Sequence, residues 1–100
     1  MLRLCYYLFM QYEYDPNKSS ANKEKHGIDF EEAKALWDDP WTYEIAARSD
    51  TELRFAVVGL IGEIHWTAFI TYRGEAVRII SVRRARNGEE TLYEQAKNQR

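Results

Sequence analysis

The chain has 100 residues, a formal net charge of −2, 45% hydrophobic residues and 30% charged ones. This composition describes one small soluble domain and counts against a general nucleic-acid binder, which is basic overall. A lone cysteine, Cys5, excludes an internal disulfide and a cysteine-based zinc site, and it fits a reducing, cytoplasmic setting.

The first stretch, Met1 to Met10, is apolar but too short to span a membrane, and it lacks the cleavage pattern of a signal peptide. Residues 1–9 read as an extra strand or as an extension upstream of a natural start at Met10. A complete domain is legible over residues 10–100.

Gln11 to Tyr14 alternates and predicts a short strand. Asp15-Pro16 predicts a helix start, with Asp15 as N-cap and Pro16 in the first turn. That helix should run from Asn17 to about His26 and stop at Gly27. Asp29 to Glu32 has the form of a capping box. Phe30, Ala33, Leu36 and Trp37 then make the apolar stripe of a second helix, ending before Pro40. Trp41 to Glu52 has no clear period and predicts a loop with at most a short strand.

Three strands follow, over Leu53–Leu60, Ile64–Tyr72 and Ala76–Val82, joined by turns at Gly62-Glu63 and Arg73-Gly74. Connections this short allow only an antiparallel meander. After Asn87-Gly88 a last helix is predicted over Glu89–Lys97, with Leu92, Tyr93 and Ala96 on its apolar side. The fold class is therefore α+β: a small antiparallel sheet in the order β-α-α-β-β-β-α.

Strand alternation sorts the faces. Leu53, Phe55 and Val57, with Ile64, Trp66, Ala68 and Ile70 and with Val77 and Ile79, form an apolar face that should carry the helices. The opposite parity holds Arg54, Ala56 and Val58; His65, Thr67, Phe69 and Thr71; and Arg78, Ile80 and Val82. A half-polar face with embedded arginines has the character of a ligand surface. Phe69 and Trp66 are candidates for stacking a base if exposed.

The charge is unevenly spread. Residues 29–52 carry eight acids against Lys34 and Arg48, a net of −6, whereas residues 73–86 carry five arginines against Glu75, a net of +4. The stretch Val77 to Arg86 begins as a strand and ends in Arg83-Arg84-Ala85-Arg86. Arginine suits phosphate because its planar fork donates two hydrogen bonds and stays charged. His26 reads as a C-terminal helix cap or as a general acid or base. No metal site, glycine-rich phosphate loop or nucleophile motif is present, and no cofactor is expected.

The segments Y-D-P-N-K, N-K-E-K-H-G-I-D-F-E-E-A, E-L-R-F and R-I-I-S-V-R-R-A-R-N-G-E-E-T-L-Y together resemble the BrnT family of type II toxins, over residues 12–93. The resemblance implies a RelE-like fold and metal-independent ribonuclease activity that inhibits translation. It also implies neutralisation by a BrnA-type antitoxin, with operator DNA bound only through the antitoxin complex. The family's basic and ionisable motif positions fall on Lys25, His26, Arg54, Arg78, Arg83, Arg84 and Tyr93, which become the candidate catalytic set. Lys23, Arg54, Arg78, Arg83 and Arg84 are the candidate RNA contacts. The acidic overall charge and the stretch before Met10 depart from the family pattern. The alternative reading is a non-catalytic module for antitoxin docking or nucleic-acid binding.

Overall fold

The computed structural model describes residues 10–47 and 50–99. The extension of residues 1–9 lies outside them. Five strands form one sheet: β1 (Gln11–Glu13), β2 (Tyr43–Ala47), β3 (Arg54–Ile61), β4 (Ile64–Arg73) and β5 (Ala76–Arg84). Their order in space is β1-β5-β4-β3-β2. The helices are α1 (Pro16–His26), α2 (Phe30–Ala33) and α3 (Asn87–Asn98), and a 3-10 turn over Lys34–Asp38 continues α2.

Local chemistry sets the helix ends. Asp15 accepts the Asn17 N–H at 2.8 Å, and Pro16 stands in the first turn, where its missing N–H costs nothing. At the far end Gly27 adopts φ 83 and returns its N–H to the Lys23 carbonyl. Asp29 and Glu32 form a reciprocal capping box at the start of α2. The second helix is shorter than expected. It tightens to 3-10 geometry at Lys34 because the chain must be extended by Asp39, ahead of Pro40.

α1 is polar, and its buried residues are Ser19 and Asn22. It docks through hydrogen bonds. Ser19 Oγ accepts the Phe30 N–H. Asn22 donates to the Ile28 and Val82 carbonyls and accepts the Val82 N–H. β1 pairs with β5 only as far as Arg78, so the Asn22 amide takes the place of a neighbouring strand at Val82. The core lies between the sheet and this layer, with Ile28, Phe30, Leu36 and Trp37 packed on Val57, Ala68, Ile70, Val77, Ile79 and Val82.

Four expectations need correction. The Tyr43–Ala47 segment is a full strand at the sheet edge, antiparallel to β3. β1 runs parallel to β5, so the sheet is mixed; hairpin lengths constrain β3 to β5 and say nothing of β1. The helices do not share one face. α3 lies on the face opposite α1 and α2, since its partners His65 and Thr67 alternate with the core residues Trp66 and Ala68.

The fourth correction concerns β5. Ile70 pairs with Ile79 and Phe69 with Ser81, so Ile80 is an extra residue, a bulge. Parity reverses there. Val82 joins Ile79 in the core, while Ser81 and Arg83 turn to the second face, which already carries Arg78.

Candidate functional site

The second face is built of cross-strand rows. One row holds Tyr43, Val58, Thr67 and Arg83. The next holds Ile45, Ala56, Phe69 and Ser81. Beyond it lie Arg54, Thr71 and Arg78, with Arg54 opposite Ala47, Thr71 opposite Arg78, and the Thr71 hydroxyl bonded to the Leu53 carbonyl. α3 covers the Thr67–Arg83 row and His65. Among the described residues the contacts of α3 stop short of the Arg54–Arg78 row, where Thr71 is buried and Arg54 and Arg78 are half-buried.

Arg78, on β5 between β1 and β4, donates from Nη1 to Glu13 Oε1 at 3.2 Å. Arg54 has Glu52 3.8 Å from its Nε. That Nε is buried and makes no hydrogen bond. Among the described residues only Glu52 faces this part of the guanidinium, and the side chain as a whole stays half-exposed.

Arg83 is placed by the bulge. Its fork donates to both oxygens of Glu89 at 2.8 Å, and both side chains are about four-fifths buried (19% and 20% exposed). Glu89 also accepts from the Thr67 hydroxyl and the Arg86 N–H. The Arg83 guanidinium, helped by the Arg86 N–H and the Thr67 hydroxyl and outweighing the upward push of burial, holds the Glu89 carboxyl down to about 2. The guanidinium also stands 5.0 Å from the Phe69 ring centroid. Arg84, one residue later, lies on the core face over Trp66. The two adjacent arginines are thus on opposite sides of the sheet.

Tyr93 is fully buried beneath α3. Its hydroxyl donates to Asp39 at 2.7 Å, and its ring meets His65 edge-on. Lys25 and His26 close α1, and His26 shares the helix face of Asn22, which touches the free β5 edge at Val82. Lys25 is exposed and His26 half-buried; among the described residues neither has a side-chain partner. Lys23 is paired with Glu32 at 2.8 Å, and the contact with Glu32 raises the Lys23 pKa while lowering that of Glu32. Arg54, Arg78 and Arg83 therefore come together on one face. Arg84, Lys23, Lys25 and His26 do not join them there, and Tyr93 lies at the far, covered end.

Several polar residues around this face escaped the sequence reading. Glu89 stands in the first turn of α3, where acids are commonly stabilising, and Glu13 lies in the short strand β1; neither position marks its partner in the sequence. His65 bonds Glu94 at 2.8 Å, with Glu90 3.6 Å from its other nitrogen, a cluster no local spacing announces. Among the described residues no group of three or more His, Cys, Asp or Glu side chains is arranged to hold a metal ion, and no helix is long and apolar enough to cross a membrane.

A family model described as the ribonuclease toxin BrnT of type II toxin–antitoxin systems matches residues 14–89. No curated protein matches the chain.

Proposed function

The chain belongs to the BrnT family of ribonuclease toxins of type II toxin–antitoxin systems, and we propose that it cleaves RNA without a metal ion, using the half of the second sheet face away from α3. The observation that carries this reading is the convergence of Arg54 and Arg78 on one row, with Arg83 brought to the same face by the β5 bulge. In the reaction the 2′-oxygen attacks phosphorus and loses its proton, while the bond to the 5′-oxygen breaks and that oxygen gains a proton. A 2′,3′-cyclic phosphate and a 5′-hydroxyl result.

Arg54 and Arg78 hold the scissile phosphate and stabilise charge on its equatorial oxygens, where each well-aimed donor is worth about 2.7–4 kcal/mol. Arg83, braced by Glu89, borders the site and fixes its shape. His26, Lys25 and Lys23 stay with α1 on the other side of the sheet, Lys23 paired with Glu32, and have no part at this phosphate. Tyr93 acts as a structural tie. The RelE-like likeness and neutralisation by a BrnA-type antitoxin belong to the same proposal.

The test uses purified, antitoxin-free protein and RNA in EDTA. Cleavage leaving 2′,3′-cyclic phosphate ends supports the enzyme. A second reading draws on the ion pairs: Arg78 and Arg83 already have carboxylate partners, which suits a docking surface without chemistry. Binding without cleavage in EDTA would favour it.

A further inference from the structure

Between the cation rows of the second face stands one aromatic ring. Phe69 is half-buried, with Ala56 beside it on β3 and Ser81 beside it on β5. The Arg83 guanidinium covers one side of the ring. Arg83 belongs to the row toward α3, and Thr71 and Arg78 to the row in the other direction. The other side of the half-buried ring therefore looks toward the row of Arg78 and Arg54. Glu89 clamps Arg83, and Arg83 in turn holds the ring. Ala56 is the smallest side chain in its row and is itself buried beside the ring.

We propose that Phe69 is a stacking platform for one unpaired base of the RNA whose phosphate lies on Arg54 and Arg78, so that the substrate class is single-stranded RNA. This rests on the ribonuclease reading of the same face. A nucleotide brings a flat π-face and an anion together, and this surface offers a ring face next to two guanidinium groups. Bases within a duplex are stacked on both sides and cannot present a face to the ring; unpaired bases can. Stacking of this kind tolerates any base. Ser81 supplies a hydroxyl beside the ring for the base edge.

The experiment compares one RNA as a single strand and annealed to its complement, cleaved by the wild type, Phe69→Tyr and Phe69→Leu, with thermal melts of each protein. The wild type and Phe69→Tyr should cleave the single strand and spare the duplex. Phe69→Leu should raise KM about ten-fold, within the range for losing one stacked base, with a far smaller change in kcat. In parallel, an uncleavable oligonucleotide with a 2′-deoxy scissile position carries 2-aminopurine. Its fluorescence should be quenched by the wild type and Phe69→Tyr and not by Phe69→Leu. Equal cleavage of duplex and single strand, or a folded Phe69→Leu with wild-type KM and quenching, overturns the platform and leaves the ribonuclease reading standing. Quenching without cleavage of any RNA supports the platform and overturns the ribonuclease reading. Should Phe69→Leu fail to fold, strand preference and the wild-type quench decide the matter.

Discussion

The Tyr93 hydroxyl and the Leu60 N–H converge on a single carboxylate oxygen, Oδ2 of Asp39, at 2.7 and 2.9 Å. Leu60 lies beyond the last β2 pairing of β3, so Asp39 satisfies an edge amide that has no strand partner. Through the same atom it anchors α3 to the opposite end of the fold. Tyr93 is the buried residue of α3, so this contact, the Arg83–Glu89 ion pair and the His65–Glu94 hydrogen bond seat that helix.

Tyr93→Phe should therefore act on stability more than on catalysis. Loss of one hydrogen bond to a charged group costs about 1.5–3 kcal/mol, and a domain of this size loses about 4–8 °C in Tm per kcal/mol. A lower Tm with cleavage within a few-fold of wild type is the expected outcome. A folded Tyr93→Phe protein without cleavage would return the hydroxyl to the chemistry.

The neighbouring arginines should behave differently when changed singly. Arg83→Ala strands the Glu89 carboxylate against Thr67 and the sheet, and it should lower Tm clearly. Arg84→Ala removes a surface cation over Trp66, and it should change stability by about 0.5 kcal/mol or less. Arg78→Ala should leave the melt near wild type and reduce cleavage by about two to three orders of magnitude. Equal losses of activity at Arg73, Arg78, Arg84 and Arg86, with a matching fall in salt dependence, would instead mark a diffuse electrostatic patch.

Acid should reveal the Arg83–Glu89 pair. Its folded carboxyl is held at about 2 against an ordinary value of 4.5, so the charged form is the one favoured by folding. The stabilisation is complete above the ordinary value and is lost as pH falls from about 4.5 toward about 2. Denaturation curves of wild type and Glu89→Gln should be well separated at pH 7 and approach each other near pH 2. A gap that stays constant across this range would remove the pair from the account.

At Gly59 the sheet comes close to the turn before β2. A Cβ built there would lie 2.9 Å from Thr42 Cγ2, 3.2 Å from Asp39 Oδ2 and 3.3 Å from Leu36 Cδ1. Gly59→Ala should cost about 1–3 kcal/mol from overpacking. Adding Thr42→Ser, which deletes the nearest methyl and keeps the hydroxyl, should recover part of the lost Tm.

Sequence alone determined the features that arise within a few residues. Asp15-Pro16 and Gly27 bound α1, Asp29 and Glu32 cap α2, and Gly62 and Gly74 turn the hairpins, because capping and turn geometry are satisfied by near neighbours. The same locality made Arg54 and Arg78 legible as members of one face, by simple alternation. The quoted motifs carried the family, which the match over residues 14–89 shows. Tertiary structure decided the rest. Ile80 has no mark of a bulge, yet the bulge moves Val82 into the core and Arg83 out beside Phe69; the outcome depends on how β5 fits β4 and Asn22 together. α3 could have covered either face by its own pattern. It took the second because Thr67, His65 and Arg83 there match Glu89 and Glu94, and those partners are 6 to 29 residues away in the chain. Pairings at such distances are chosen by the assembled sheet, where burial and charge are balanced over the whole face, and no local period records them.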